Sequence, residues 1–252
     1  MKLGIDVGST TVKLVLLNEN NEIKYSKYER HMSNVFDKVE ELVKEAYDNM
    51  GDITVKAVVT GSGGLALAEK AGIPFEQEVI TCSRAVEELI PETETAIELG
   101  GEDAKITFYG ASVEQRMNGT CAGGTGAFID QMADLMNIPV EELGRQALKY
   151  EKLYPVASRC GVFAKTDVQN LISRNVPVPD ISMSILRTVA VQSVTTLARG
   201  CDIQPKILCI GGPLTFIPAL RDSFVELLNL DEADLIVPAN SEYFPAWGTA
   251  LY

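Results

Sequence analysis

Glycine turns beside carboxylates are the feature of this sequence with the clearest chemical use. Four predicted strands each lead into a glycine-containing turn, at residues 6–11, 98–103, 119–126 and 211–213. Glycine lets the backbone approach an anion closely and adopt positive φ angles, so that successive N–H groups can converge on one anion. The third turn also opens onto a predicted helix, whose N-terminus favours negative charge. The pattern therefore predicts phosphate binding.

Charged side chains beside two of these turns add detail. Asp6 opens the first turn, and Glu98, Glu102 and Asp103 belong to the second. Carboxylates can hold Mg²⁺ directly or through water, and Lys13 is predicted to face the phosphates across the first hairpin. One glycine turn alone is usually only a tight turn, and neither the Walker A nor the dinucleotide fingerprint is present. The joint occurrence of four turns therefore carries the prediction.

Five cysteines, Cys82, Cys121, Cys160, Cys201 and Cys209, are spread along the chain. An odd, widely spaced set with no export signal argues against a disulfide framework and for reduced thiols. Cys121 lies within the third turn, just before its glycines at 123–126, and Cys160 follows an arginine just before a predicted helix; both settings favour a thiolate. From the residues alone, each is either a small buried residue or a metal ligand. The other three lack such surroundings, and Cys209 is predicted to lie in the core.

The elements that would position these residues alternate between strands and helices. Strands are predicted at residues 2–7, 11–17, 22–28, 55–60, 95–99, 104–109, 112–117, 206–210 and 235–237. Helices are predicted at residues 33–50, 65–71, 83–90, 126–136, 140–149, 164–173, 180–199, 215–228 and from 241 onward. The strand–turn–strand pattern restarts at Thr95, which indicates an internal duplication. This alternation predicts an α/β protein.

Local patterns give three further predictions. The first helix is expected to bury one stripe, composed of Val35, Phe36, Val39, Leu42, Val43 and Ala46. His31, the only histidine, is expected in a solvated loop, and a single histidine excludes a His-based triad or zinc site unless other residues substitute. Trp247 is expected to pack the last helix against the body of the protein.

Composition limits the function classes. The 252 residues are 46% hydrophobic and 23% charged, as in soluble globular proteins, which excludes a wholly disordered or fibrous chain. The net charge of −13 argues against binding bulk nucleic acid. No apolar run approaches the ~18 residues of a membrane helix, and a strand pattern begins at once, so neither a membrane span nor a signal peptide is expected. We therefore expect a cytoplasmic protein.

The phosphate motifs resemble those of a known superfamily. Residues 6–10 with Lys13 are similar to the first phosphate loop of actin, sugar kinases and ATP-driven heat-shock chaperones. Residues 98–103 resemble the second phosphate loop of that superfamily, and residues 211–213 its adenosine turn. In the superfamily, two ribonuclease-H-like lobes close on ATP in a central cleft. The resemblance implies lobes at residues 1–92 plus 241–252 and at 93–240.

Within that superfamily, the cysteine motifs resemble one family. Residues 121–126, 158–164 and 246–251 are similar to the BadF/BadG/BcrA/BcrD ATPases, the activators of 2-hydroxyacyl-CoA dehydratases and the ATPase subunits of benzoyl-CoA reductases. Two departures are visible: Glu98 replaces the usual Asp, and Glu102 stands where dehydratase activators have Gln. Residues 113–121 look more like long, multi-module relatives, which leaves the partner enzyme open and raises the possibility of an excised module.

The resemblance implies a role for each candidate residue. Glu102 or Asp103 would orient or deprotonate the attacking water. The residues implied in binding the phosphates of ATP or ADP and Mg²⁺ are Asp6, Gly8, Ser9, Thr10, Lys13, Glu98, Gly100, Gly101, Gly123, Gly124, Thr125 and Gly126. Those implied in binding adenosine are Gly211, Gly212, Pro213, Trp247 and Gly248.

The resemblance also implies an iron–sulfur centre. Cys121 and Cys160 would supply two thiolates per chain, whereas a [4Fe–4S] cluster takes four, so one cluster would be shared between the subunits of a homodimer. Reduced ferredoxin or flavodoxin would donate the electron under anaerobic conditions, and a partner CoA-ester dehydratase or reductase would accept it.

Two alternatives stay open from the sequence. A small-molecule kinase of the same superfamily would need a substrate-facing Asp as base and would not need the cysteines. A non-catalytic, nucleotide-responsive module of a larger protein would bind ATP without turnover. ATP consumption and phosphorylated product distinguish the three.

Overall fold

A computed structural model describes residues 1–118 and 123–252. The chain divides into two compact units: Met1–Glu92 together with Glu242–Tyr252, and Thr93–Ser241. Cys121, one of the two predicted cluster ligands, lies outside the described residues.

The first unit is built on a mixed sheet in the order β3-β2-β1-β4. Its elements are β1 (Lys2–Val7), β2 (Thr11–Leu17), β3 (Ile23–Arg30), α1 (Val35–Met50), β4 (Lys56–Thr60), α2 (Gly64–Ala71), α3 (Glu78–Leu89) and, after the second unit, α10 (Phe244–Ala250). β1 runs antiparallel to β2 and parallel to β4. The carboxyl ends of two parallel strands therefore meet at one edge of the sheet.

Both faces of this sheet are covered, as the alternation along its strands requires. On β2, Leu14 and Leu16 pack against α1 and α2, whereas Val15 and Leu17 point to the other face and pack against α10. A Cβ added to Gly4 would overlap the Ala246 carbonyl, so β1 and α10 are in backbone contact. The closing helix is thus part of the core of the first unit.

The second unit repeats the arrangement, with strand order β7-β6-β5-β8-β9. Its elements are β5 (Thr95–Leu99), β6 (Ala104–Phe108), β7 (Glu114–Met117), α4 (Gly126–Leu135), α5 (Val140–Ala147), α6 (Gly161–Ser173), α7 (Val178–Ser193), a π-helical turn (Val194–Ala198), β8 (Ile207–Ile210), α8 (Gly212–Phe216), α9 (Pro218–Leu228) and β9 (Leu235–Ile236). β5 is antiparallel to β6 and parallel to β8, as β1 is to β2 and β4. The restart predicted at Thr95 therefore corresponds to a second copy of the same sheet pattern.

The predicted stripe on α1 was too wide. Val39, Leu42 and Ala46 are buried, but Phe36 and Val43 are exposed. The buried stripe is therefore narrow, at positions i, i+3 and i+7 from Val39, and the apolar positions beside it, Phe36 and Val43, face solvent.

The prediction of one continuous helix at residues 215–228 was also wrong, because two helices occupy this stretch. α8 ends at Phe216 and α9 begins at Pro218. Proline has no N–H to donate and its ring clashes with the preceding turn, so it starts a helix far more readily than it continues one.

The helical segment Val178–Ala198 bears on the expectation that no apolar run is long enough to span a membrane. It has a mean hydropathy of 1.2 and is the one helix among the described residues that is long and apolar enough for a bilayer by length and composition. Of its most apolar stretch, 72% is buried in the second unit, and core helices of folded domains meet the same criterion. The segment is weak support for a membrane span.

Candidate functional site

A buried ion pair stands at the end of β1 in the first unit. Asp6 and Lys13 are directly opposite each other across the β1–β2 hairpin, and Lys13 Nζ lies 2.7 Å from Asp6 Oδ2. Burial alone would lower the pKa of Lys13, but the charge and hydrogen bond of Asp6 raise it above the ordinary value. The lysine therefore stays cationic beside the first glycine turn.

The first glycine turn wraps around this pair. The Gly8 N–H donates to the Thr11 carbonyl at 2.9 Å, and a Cβ on Gly8 would lie 3.3 Å from Lys13 Nζ. Gly61, which follows the parallel strand β4, has φ +94°, and a Cβ there would overlap Asp6 Oδ1 and the Val7 carbonyl. The strand ends of β1 and β4 thus bring the turn, the carboxylate and the ammonium group together.

His31 contradicts its prediction. It is only 7% exposed, whereas a solvated loop residue was expected. The chain after β3 folds back onto the first glycine turn, and the His31 N–H donates to the Thr10 carbonyl at 3.1 Å. This contact lies one step beyond the Thr11–Arg30 pair of β2 and β3, and it was missed because the predicted third strand ended at residue 28.

The second unit has an equivalent buried pair. Glu98 on β5 stands opposite Lys105 on β6, and Lys105 Nζ lies 3.1 Å from Glu98 Oε1. Both residues are buried. Lys105 was missed by the sequence reasoning, although its spacing from Glu98 repeats that of Lys13 from Asp6. The duplication could have identified it.

The second phosphate-like loop is joined to the start of α4. The Gly100 N–H donates to the Asp103 carbonyl at 2.8 Å, which closes the turn. The Gly126 N–H then donates to the Gly100 carbonyl at 2.9 Å, and the Ala127 N–H to the Gly101 carbonyl at 2.7 Å. Gly126 therefore links the loop to α4 in this structure.

The two candidate catalytic carboxylates lie on this turn. Glu102 is exposed and Asp103 is half-buried. Asn118 holds the turn from the side: its Nδ2 donates to the Glu102 carbonyl at 3.1 Å, and its Oδ1 accepts from the Ala104 N–H at 2.8 Å. The turn is thus fixed in place while the Glu102 side chain faces solvent.

The third glycine turn packs against α7. A Cβ on Gly123 would lie 2.7 Å from Gln192 Oε1, and Gly124 has φ +85° beside the same side chain. Thr125 is buried at the N-cap of α4. Gln192 was not predicted, since only the tertiary fold brings it to the turn.

The predicted adenosine turn repeats the geometry of Gly61. Gly211 follows the parallel strand β8 with φ +91°, and a Cβ there would overlap the Leu99 carbonyl. Gly212 and Pro213 begin α8. A Cβ on Gly126 would lie 3.3 Å from Pro213 Cγ, so α4 and α8 begin side by side.

Trp247 and Gly248 belong to α10 in the first unit, where the structure gives both a packing role. Trp247 is half-buried against the cluster that contains Val15 and Leu17, as the sequence predicted for this helix. A Cβ on Gly248 would overlap the Thr81 carbonyl of α3, so α10 and α3 are closely packed there.

The four described cysteines fall into three environments, of which Cys82 and Cys209 share the buried one. Cys160 is a half-buried free thiol at the N-cap of α6, followed by the exposed side chains of Val162 and Phe163. Cys209 is a core residue, as predicted, and burial raises the pKa of its thiol to about 12. Cys201 was predicted to lack a charged neighbour, but its Sγ lies 3.0 Å from Arg116 Nη2.

A metal ion held within one chain needs several His, Cys, Asp or Glu side chains close together. Among residues 1–118 and 123–252, no group of three or more His, Cys, Asp and Glu side chains could hold a metal ion. Cys160 nevertheless fits a cluster ligand, because it is reduced, reaches the surface and begins a helix. A cluster at Cys160 would thus need donors from outside this set.

Known proteins resemble the chain along its full length. The BadF/BadG/BcrA/BcrD ATPase family model matches residues 3–252. The 2-hydroxyisocaproyl-CoA dehydratase activator of Clostridioides difficile is 31% identical over 258 residues, covering 99% of this chain and 93% of the relative. The (R)-2-hydroxyglutaryl-CoA dehydratase activating ATPase of Acidaminococcus fermentans is 31% identical over 257 residues, with coverage of 99% and 95%.

The fold comparison agrees. The solved structure of the activator of the 2-hydroxyisocaproyl-CoA dehydratase from Clostridium difficile with bound ADPNP matches with a TM-score of 0.85 and 27% identity, over 100% of this chain and 93% of that one. The predicted α/β fold of the actin-like ATPase type, with two ribonuclease-H-like lobes, is confirmed. The chain belongs to the BadF/BadG/BcrA/BcrD ATPase family.

Proposed function

We propose that this protein is an ATP-hydrolysing iron–sulfur activator that passes an electron to a partner enzyme of the CoA-ester dehydratase or reductase type. The observation that carries the proposal is the match to dehydratase activators over 99% of the chain. The described contacts are compatible with it, since each unit presents a buried acid–lysine pair beside a glycine turn.

The nucleotide would be ATP or ADP, because a related activator was solved with ADPNP. In our proposal its phosphates contact the backbone of residues 8–10 in the first unit and of residues 100–101 in the second, where glycine permits close approach. Residues 211–213 would lie against adenosine. Gly126 would hold the second loop in place through the bond to Gly100.

Asp6 and Glu98 are the carboxylates proposed to hold Mg²⁺-bound water. Each is already paired with a lysine, which favours contact through water over direct coordination. Glu102 and Asp103 lie on the turn that Asn118 fixes. One of the two carboxylates would orient or deprotonate the water that attacks the terminal phosphate.

A [4Fe–4S] cluster, when bound, would supply a one-electron carrier of low potential. Cys121 and Cys160 of two copies would ligate it, since one chain offers only two such thiols. Support comes from Cys160, which reaches the surface beside two exposed apolar side chains, Val162 (72% exposed) and Phe163 (66% exposed). Such residues suit a face that a second copy covers.

Nucleotide state would be transmitted to this face through α4. The Gly100 and Gly101 carbonyls bond the first N–H groups of α4, and the ring of Phe128 on α4 lies 3.7 Å from the position of a Cβ on Gly161. The two helices that follow Cys121 and Cys160 are therefore packed together. A shift of the second loop on hydrolysis would move both helices.

Anaerobic purification tests the proposal. We expect about four iron and four sulfide ions per dimer, an EPR signal after reduction that differs between ADP and ATP, and ATP hydrolysis. Asp103→Asn should lower kcat at least about tenfold if Asp103 handles the water. Cys160→Ser should remove the iron, and Cys201→Ser, a half-buried thiol outside the proposed site, should retain it.

Three outcomes would contradict parts of the proposal. A folded dimer that takes up no iron and sulfide on reconstitution excludes the cluster. Stoichiometric formation of a phosphorylated small molecule from ATP would favour a kinase. ATP binding without turnover, with the cluster intact and a dehydratase partner present, would favour a nucleotide-responsive module.

A further inference from the structure

The first phosphate loop, residues 8–10, is held by a histidine that does not belong to it. We propose that His31 is a positioning residue that keeps this loop in the shape an anion requires; the proposal rests on the nucleotide site proposed above. His31 bonds two carbonyls of the loop. Its backbone N–H donates to the Thr10 oxygen at 3.1 Å, and its ring Nε2 lies 3.2 Å from the Gly8 oxygen.

The partners of the ring define its proton. The Ser33 N–H donates to His31 Nδ1 at 3.1 Å, so Nδ1 is the accepting nitrogen. A carbonyl oxygen can only accept, so the hydrogen must be on Nε2 for the bond to Gly8. The two contacts therefore assign the neutral Nε2–H tautomer to this buried imidazole.

The turn after His31 is strained in a way that serves these contacts. Met32 and Ser33 have φ angles of 48° and 66°, in the left-handed region that is unfavourable for residues with a Cβ. The Met32 side chain is 81% exposed, so its own packing does not explain the conformation. The turn places the Ser33 N–H on Nδ1, and such strain persists only where its surroundings determine it.

The consequence for an anion is electrostatic. A loop attracts phosphate through its N–H groups and repels it through any carbonyl oxygen that faces the same way. His31 holds the Gly8 and Thr10 oxygens on the protein side of the loop. Because His31 acts through the backbone of the loop, its loss should weaken nucleotide binding and leave the chemical step nearly unchanged.

Calorimetry with MgADPNP tests this role. His31→Leu removes the ring donor and should raise the Kd about five- to tenfold, with a similar rise in the KM for MgATP and kcat within about twofold of wild type. His31→Gln restores an N–H donor at a similar reach and should return the Kd to within about threefold. Met32→Ala changes the exposed neighbour and should bind as wild type does.

The single histidine permits a second measurement. In ¹⁵N-labelled protein its ring signals should show the neutral Nε2–H tautomer at neutral pH, and this readout stands even if His31→Leu fails to fold. The Nδ1–H tautomer, or equal Kd values for wild type and a folded His31→Leu variant, would overturn the role of His31 alone. A wild type that binds no ADPNP would instead overturn the proposed nucleotide site.

Discussion

Two buried acid–lysine pairs supply the fixed charges of the proposed nucleotide site. In each unit the acid is the penultimate residue of the first strand of a hairpin, and the lysine faces it from the second strand. A buried carboxylate is unfavourable unless a cation and hydrogen bonds compensate it. Each pair therefore places a carboxylate with its compensating cation beside a glycine turn.

The Asp6–Lys13 pair predicts a separation of stability from binding. Lys13→Met leaves a buried carboxylate without its ammonium partner and should lower the free energy of unfolding by about 3 kcal/mol or more in urea denaturation. Asp6→Asn combined with Lys13→Met should recover most of that loss, because no uncompensated charge is left. Binding of MgADPNP should stay weak in both variants.

Lys24→Met is the control, since Lys24 forms an exposed pair with Glu22 at 2.8 Å. Exposed pairs contribute little, so its urea midpoint should equal that of wild type. Recovery of nucleotide affinity in the double variant would show that the pair only stabilises the fold.

The sequence could predict Asp6, Gly8 and Lys13 because a hairpin of fixed register sets their spacing. His31 lies one step beyond the Thr11–Arg30 pair of the β2–β3 ladder, and it was not placed beside the first turn because the predicted third strand ended at residue 28. Gln192 meets the third glycine turn only through the tertiary fold, and a glutamine in a helix does not mark its partner in the sequence.

Among the elements, the parallel strands β4 and β8 end in equivalent glycines. Gly61 and Gly211 both have positive φ, and each faces the carbonyl of the residue that ends the neighbouring strand. Only glycine permits both the backbone conformation and the close approach. Gly61 therefore lets β1 and β4 end side by side within the first unit, and Gly211 does the same for β5 and β8 within the second.

Gly211→Ala should therefore destabilise the second unit. Backbone strain at positive φ combined with overlap of the Leu99 carbonyl predicts a loss of about 3 kcal/mol or more in the free energy of unfolding. Gly110→Ala is the matched control, because a Cβ there meets no atom within 4 Å. It should change the free energy of unfolding by less than about 0.5 kcal/mol. Equal denaturation midpoints for the two variants would contradict the role assigned to Gly211.

Periodicity predicted most strands within two residues of their observed bounds, since their apolar runs are short and bounded by turns. Its failures have physical causes. The long helix expected across Pro218 ignored the missing N–H of proline. The wide stripe on α1 counted Phe36 and Val43 as core, although the helix packs on a single sheet.

For the whole molecule, the proposed shared cluster predicts a homodimer around the surface that carries Cys160. Phe163→Asp should convert the dimer to monomer in light scattering, because the exposed ring would be replaced by a charge at a covered apolar face. Leu148→Asp introduces the same charge at another exposed apolar side chain and should leave the mass unchanged. A Phe163→Asp protein that stays dimeric with its iron intact would place the interface elsewhere.

The family and the α/β class were predictable from the sequence because glycine turns, cysteines and strand runs are local features. The duplication was visible only as a weak restart at Thr95. The sheet orders make it clear, with β3-β2-β1-β4 repeated as β7-β6-β5-β8 before the added edge strand β9. The order of strands in a sheet depends on pairing between distant segments, which one sequence does not specify.

The discontinuous first unit has a consequence for biosynthesis. Residues 93–241 are contiguous, so every residue of the second unit emerges from the ribosome before the helix that completes the first. Until α10 arrives, one side of the amino-terminal sheet, around Val15 and Leu17, has no cover. The unit whose strands are translated first is therefore the last to complete its core. Until then, the nascent chain carries an exposed apolar surface.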